Sequence, residues 1–598
     1  MARTPDAPHD TIAIPLPDSA LGRLFVGPKA SPDAVWFSLA GGRPLYSAGE
    51  ASEMLYFVKA GRLGVVRREA GHAAQFLGVI KPGEPAGEMA LIAGTPHSAD
   101  VVAMRDSEVM ALPRAAFFAA ARRDPALMAD LAKLMILRTR ETGPSLGSSA
   151  PIVFCFVGVT PGLPVRDLVE DIERAVLAQG FTCTLIGSES ETAPTEWFST
   201  VELRHDVVLM SAEAGEESWI ELCTRQADQL FLVGDAAQRP PALAALPPGG
   251  PLSTHRLVDL ILVHDPKVHR PTGTGAWLDA IAAEHVFHIR KQSAPCLARI
   301  ARMITGTSVG LVLSGGGARA YAHVGVIRAL REAHVPIDFI AGASMGAIIA
   351  AGVAMGWEDE EVTTRIRKAF VLTNPLSDLA LPMIAMTQGK LVRARLYENF
   401  QDTEIEDLWL PFFCVSSNLT TGEYLLHRRG RLRKALQASA ALPGVIPPVI
   451  IGDNVLVDGA VTNNMPADIM RRWHRGTVIG IDVAEARALT AKDVERPPSL
   501  LRWVLSGEWK KGPPLVSLLI RAATVGTARE TAPLHEACDL LVMPTLEGIE
   551  LRDWKAFDPA VEGGYQSMME ALARLDRPVT DLRLPDVMEK EIRAELGM

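Results

Sequence analysis

The stretch "FIAGASMGAIIAAG", residues 339–352, places one serine between two glycines. An apolar run, Phe339-Ile340-Ala341, leads into Gly342-Ala343-Ser344-Met345-Gly346, and a small, apolar, helix-like tail follows. Gly342-x-Ser344-x-Gly346 fits a nucleophile elbow, a sharp strand-to-helix turn that lifts a hydroxyl above the sheet edge and leaves room only for small residues. The helix after it aims its N-terminal dipole at the serine, which favours developing negative charge. A plain strand-to-helix connection that happens to contain serine accounts for the five residues equally well.

Two further segments bear on that choice. "LVLSGGGARAYAH", residues 311–323, runs from a buried-type strand through Gly315-Gly316-Gly317 into a helix. Unhindered backbone N–H groups there suit an oxyanion, and Arg319 adds charge. A dinucleotide-binding turn fails because Ala320 stands where G-x-G-x-x-G needs its third glycine, and no Gly-Lys-Ser/Thr follows to make a P-loop. "VLVDGA", residues 455–460, ends a strand with Asp458-Gly459 and points a carboxylate at the same sheet edge. A carboxylate within hydrogen-bond reach can take a hydroxyl proton directly, although Asp-Gly is also a common turn. The later histidines, His427, His474 and His535, do not end core strands and read as structural or surface residues.

Around this core, the 598-residue chain is too long for one ordinary domain. It is 48% hydrophobic and 22% charged, as globular chains are. A net charge of −10 gives no basic field for nucleic acid. Six scattered cysteines, without a CxxC pair, suit a reducing compartment. No signal peptide is expected at "MARTPDAPHDTIAIPLPDS", and no window reaches the roughly 20 apolar residues of a spanning helix. His285 and His288, spaced H-x-x-H, lack further ligands and read as structural, with no metal.

The composition changes along the chain give six parts. Residues 1–24 are a tail. Residues 25–140 are β-rich and end in helical spacing interrupted at Pro125; within them "MLYFVKAGRLGVVRRE" reads as a hairpin turning at Ala60-Gly61. Residues 141–151, "ETGPSLGSSAP", are a linker. Residues 152–300 alternate apolar strands with amphipathic helices, the pattern of a parallel α/β layer. Residues 301–485 hold the serine, glycine-rich and aspartate segments. In residues 486–598, "PPSLLRWVLSGEWKKGPPLVSLLI" (497–520) sets Trp503 and Trp509 beside Lys510-Lys511, as an interfacial or lid segment would. The basic run Arg428–Lys434 could attract anionic headgroups.

Gly315-Gly316-Gly317-x-Arg319, Gly342-x-Ser344-x-Gly346 and Asp458-Gly459-Ala460, in that order, resemble the patatin-like phospholipase family, as does "ASAALPGVIPPV" (438–449). The resemblance implies a three-layer α/β/α catalytic domain and lipid acyl-ester hydrolysis. It makes Ser344 the nucleophile, Asp458 the base, and Gly315, Gly316, Gly317 and Arg319 the oxyanion region. "GRLGVV" and "GEPAGEMALIAGTPHSADVVAM" (83–104) resemble a cyclic-nucleotide-binding β-roll, whose ribose would be held at Gly87-Glu88. His97 stands where that family's phosphate-pairing arginine follows the proline, so loss of cyclic nucleotide binding is expected. A β-roll, an α/β middle region and a patatin domain together resemble the neuropathy target esterase family. The expectation is a (lyso)phospholipid serine esterase without cofactor, cytoplasmic and peripheral to a membrane. Its rivals are an acyltransferase using the same dyad and a nucleotide-responsive binding protein with a vestigial hydrolase domain.

Overall fold

The computed structural model describes residues 24–25, 31–67, 75–141, 152–240, 257–372, 376–381, 384–484, 535–551 and 553–584. The interfacial segment expected at 497–520 and the linker beyond Glu141 lie outside them. The chain forms two compact units: one comprises Met1–Val263, Asp279–His285 and Asp586–Met598, the other His264–Leu278 and Val286–Pro585.

The first unit opens with a β-roll of two four-stranded antiparallel sheets. The hairpin expected at Ala60-Gly61 is not formed. Met54–Ala60 and Leu63–Arg67 lie in different sheets, the former beside Ser107–Pro113 and the latter between Asp100–Ala103 and Gln75–Ile80. The reason is local: Gly61 has φ +85°, and a Cβ on it would fall 2.3 Å from the Ser107 hydroxyl oxygen, so the chain crosses between sheets pressed against Ser107. The helical region divides at Pro125 as expected, into Arg114–Arg123 and Ala126–Glu141. Beyond it, parallel strands run in the order Cys183–Ile186, Val207–Ala212, Val153–Gly158, Gln229–Asp235, Leu257–His264.

The second unit is built on a mixed sheet. Its strands are β1 (Val309–Leu313), β2 (Phe339–Ala343), β3 (Phe412–Asn418), β4 (Tyr424–His427), β5 (Val449–Ile451), β6 (Asn454–Asp458), β7 (Thr477–Ile481) and β8 (Leu540–Val542). Their spatial order is β5-β6-β3-β2-β1-β7-β8, with β4 also on β3. β3, β2, β1, β7 and β8 are mutually parallel, β6 and β4 each pair antiparallel with β3, and β5 pairs antiparallel with β6. β1 and β2 are wholly buried, as central parallel strands with both faces covered must be. Leu311, Leu313 and Ile340 pack under helices Ala322–Glu332, Ser344–Ala354 and Phe557–Ala573. The opposite pleat faces helix Ala467–Trp473: Phe339 stacks on His474 just past its end, and Phe339 and Phe413 meet Trp473 edge-on. The unit is therefore three layers, α/β/α.

Helices Ala322–Glu332 and Phe557–Ala573 touch backbone to backbone. A Cβ on Gly325 would lie 1.8 Å from the Val561 carbonyl oxygen, and one on Gly564 would lie 2.0 Å from that of Ala322. Gly325→Ala is expected to cost about 1–3 kcal/mol or more through this overpacking, although alanine favours an open helix. Thermal melting by circular dichroism checks it, and a melting temperature at or above wild type contradicts the close approach.

Candidate active site

The sheet register fixes where the chemistry can lie. Ala343 opposes Val415 on one side of β3, and Asp458 opposes Ser416 on the other. Ser344, the next residue after β2, therefore stands level with Asp458 across two strand spacings of about 4.8 Å each. Two short side chains close that gap: Ser344 Oγ donates to Asp458 Oδ2 at 2.6 Å.

Ser344 has φ +52°, a left-handed conformation that serine rarely adopts. The turn is tight enough to exclude every side chain at its two glycines. A Cβ on Gly346 would come 2.4 Å from the Ser314 carbonyl oxygen, and one on Gly342 would come 2.8 Å from that of Leu313. The Ser344 N–H is held by Ser439 Oγ at 2.9 Å. Ser439 is buried at the end of helix Leu432–Ser439, in the "ASAALPG" segment.

Asp458 is 2% exposed. Burial pushes its carboxyl up to about 6, against the opposing pull of the Ser344 hydroxyl and the Ala460 N–H, which donates to Oδ1 at 2.9 Å. Among the described residues no histidine bonds Ser344 or Asp458. His427 Nε2 bonds Ser416 Oγ, and burial pushes its imidazole down to about 4. His474 Nδ1 meets Ser308 Oγ and accepts from the Gly476 N–H; His535 Nε2 meets Asp482 Oδ2.

The glycine-rich loop lies against the serine, since a Cβ on Gly315 would sit 2.9 Å from Ser344 Cβ. The three glycines differ in kind. Asn464 clamps Gly315 by both ends of its amide, Oδ1 accepting from the Gly315 N–H and Nδ2 donating to its carbonyl, at 3.1 and 3.2 Å. The N–H groups of Gly316 and Gly317 have no acceptor among the described residues. Arg319 reaches backbone: its Nε donates to the Val483 carbonyl and its Nη1 to those of Leu546 and Ile549. Those bonds brace the end of β7 and the 546–551 segment. Ser439 and Asn464 are the residues missed by sequence reading. Asn464 carried a signal, standing six residues after Asp458 on the same turn.

Residues 311–471 match the family model for patatin-like phospholipases, 36–124 that for cyclic nucleotide-binding domains, and 168–309 that for the neuropathy target esterase (NTE) family P-loop like domain. Over 546 residues the chain is 32% identical to an NTE family protein of Mycobacterium tuberculosis strain H37Rv, covering 88% of this chain and 90% of that one. The chain belongs to the NTE family. It is also 28% identical to human patatin-like phospholipase domain-containing protein 6 and 26% identical to Drosophila melanogaster neuropathy target esterase sws; these matches cover 93% and 91% of this chain but 46% and 43% of theirs. Membership supports a lipid-esterase role. Among the described residues no helix is long and apolar enough to cross a membrane, and no three His, Cys, Asp or Glu side chains converge as a metal site would need. His285 bonds Asp259, and His288 bonds His264 and the Glu406 carbonyl.

In the roll, Gly87 adopts φ +82° at the start of helix Glu88–Ala93, whose first residue is buried. The His97 ring stacks on Tyr46 with centroids 3.7 Å apart, and burial lowers its pKa. A Cβ on Gly87 would lie 3.1 Å from that ring. An imidazole held neutral against an aromatic face offers a phosphate no charge. Isothermal calorimetry with cyclic AMP is expected to give no binding heat; a dissociation constant below about 10 µM, which corresponds to about −7 kcal/mol, contradicts this.

Proposed function

We propose that this NTE family member hydrolyses acyl esters of lysophospholipids or phospholipids through a Ser344–Asp458 dyad. The supporting observation is the 2.6 Å hydrogen bond from Ser344 Oγ to Asp458 Oδ2 at a left-handed turn. Ser344 Oγ attacks the ester carbonyl carbon while its proton passes to Asp458 Oδ2. The Gly316 and Gly317 N–H groups receive the oxyanion. Collapse of the tetrahedral intermediate breaks the ester C–O bond, and Asp458 returns the proton to the departing glycero-alcohol. Water, deprotonated by Asp458, then cleaves the acyl-enzyme and restores Ser344. Within this reading the parts divide as 25–140 for the roll, 152–300 for the middle region and 301–485 for the catalytic core.

A fluorophosphonate probe is expected to label the wild-type chain at Ser344 and to leave Ser344→Ala unlabelled. Absence of label on folded wild-type protein sinks the serine-hydrolase reading.

Asp458→Asn is expected to fold and to lose about 10³-fold or more in kcat, since the base is gone. Because the folded carboxyl is raised to about 6, ionising it opposes folding above that pH. Asp458→Asn should therefore melt no lower than wild type at pH 8, with an advantage that shrinks as the pH falls from about 6 towards the ordinary carboxylate range. For the same reason wild-type kcat/KM should fall as the pH drops through about 6, where the base takes up its proton. A rate unchanged down to pH 4, or near-normal turnover by Asp458→Asn, rules Asp458 out as the base.

A further inference from the structure

Three large apolar side chains in the second unit stand out into solvent close together: Leu379 is 69% exposed, Leu381 79% and Ile384 75%. They lie on two arms, 378–381 and 384–388, that run antiparallel. Leu379 bridges Thr387, the Ala380 N–H donates to the Met386 carbonyl, and the Gln388 N–H donates to that of Asp378. Such a cluster is costly on a surface facing only water.

Beside it, Lys390 and Arg393 open helix Lys390–Phe400, exposed and without an ion pair among the described residues. Asp378 lies between the apolar cluster and this helix, and its Oδ2 is taken by the N–H groups of Lys390 and Leu391. An apolar tip with a cationic shoulder matches the acyl region and the phosphate layer of a lipid surface.

The 384–388 arm is also fastened to the active-site side of the sheet. The Met386 N–H donates to the Gly444 carbonyl, and Thr387 gives both its N–H and its hydroxyl to that of Val445. Three residues earlier, the Ala441 carbonyl accepts the N–H of Asp458 itself.

We infer that Leu379, Leu381 and Ile384, flanked by Lys390 and Arg393, dock the chain on an anionic phospholipid surface. The purpose of this contact rests on the phospholipid-hydrolase reading; the exposed cluster does not. Docking there brings the 441–449 segment and the Asp458 strand to the membrane, so that a substrate reaches the dyad from the bilayer rather than from solution.

The test uses the full chain carrying Ser344→Ala, so that lipids stay intact, and sedimentation with vesicles of phosphatidylcholine and phosphatidylglycerol at 3:1. Replacing Leu379, Leu381 and Ile384 together by Ser is expected to weaken binding at least tenfold. Lys390→Glu with Arg393→Glu should weaken it most at low salt. In a separate variant, Leu381→Trp should shift its emission to the blue when vesicles are added. With Ser344 restored, the triple-Ser variant should hydrolyse a soluble short-chain p-nitrophenyl ester within about twofold of wild type, which also shows that it folds. Binding as tight as the parent's, an unshifted Trp emission, or a triple variant whose only change is loss of a dimer overturns the inference. Failure of the hydrolase reading would appear instead as wild type that turns over no ester, whatever the vesicles show.

Discussion

A serine held at φ +52° between a strand's end and a helix's start constrains everything around it. Such backbone costs on the order of 1–3 kcal/mol and persists only where neighbours over-determine it. Here they do. Gly342 and Gly346 let the turn press against the carbonyl oxygens of Leu313 and Ser314, closer than any Cβ permits. Ser439 takes the Ser344 N–H, which the twisted backbone directs away from the helix. The helix that follows is almost wholly buried small and apolar residues, so the turn cannot relax by tilting it. The result is a hydroxyl presented at the edge of the sheet with its direction fixed before any substrate arrives.

The second constraint is a carboxylate kept nearly dry. Asp458 receives two hydrogen bonds, from Ser344 and Ala460, and burial still raises its pKa. A more fully bonded carboxylate would be more stable and a weaker base, so stability and basicity oppose each other at this position. The turn after Asp458 does a second job. Six residues on, Asn464 grips Gly315 by both N–H and carbonyl, so one short segment sets both the aspartate and the glycine-rich loop. With Gly315 held, the next two N–H groups point free of the backbone network. Movement of one part of the site would move the others.

What could be read from sequence was local and chemically narrow. Gly342, Ser344 and Gly346 are informative because few residue types survive that turn. The three glycines and Asp458 are informative because strand ends bring them to one edge. Contacts between distant segments were not legible. Arg319 next to three glycines reads as an anion ligand, and only the approach of Val483, Leu546 and Ile549 turns it into a brace. Gly61 between two β-type runs reads as a hairpin, and only Ser107 beneath it makes it a crossing. Leu379, Leu381 and Ile384 gave no sequence signal because prolines at 375 and 382 break the periodicity around them, while the Trp-rich segment downstream carried a stronger interfacial pattern.

The first unit keeps two architectures that usually hold phosphates, and each departs from that use in its own residues. In the roll, His97 stacks on Tyr46 at the position where a phosphate-pairing arginine was expected. In the parallel sheet, strand Val153–Gly158 leads through a loop into helix Val165–Leu177, the order in which a P-loop presents backbone donors to phosphate. Glu213 fills that position from the neighbouring strand's end, its two carboxylate oxygens accepting from the N–H groups of Val165 and Arg166 at 3.2 and 3.0 Å. An incoming phosphate would have to expel a carboxylate already satisfying those donors, and the loop supplies no lysine to compensate. The two halves are in turn joined by ion pairs withdrawn from water, Arg62 with Asp228 and Arg105 with Glu202. Removing one member of such a pair strands the other charge, at roughly 3–5 kcal/mol, so the halves resist separation. At both places these donors and rings are already engaged by groups of the chain itself.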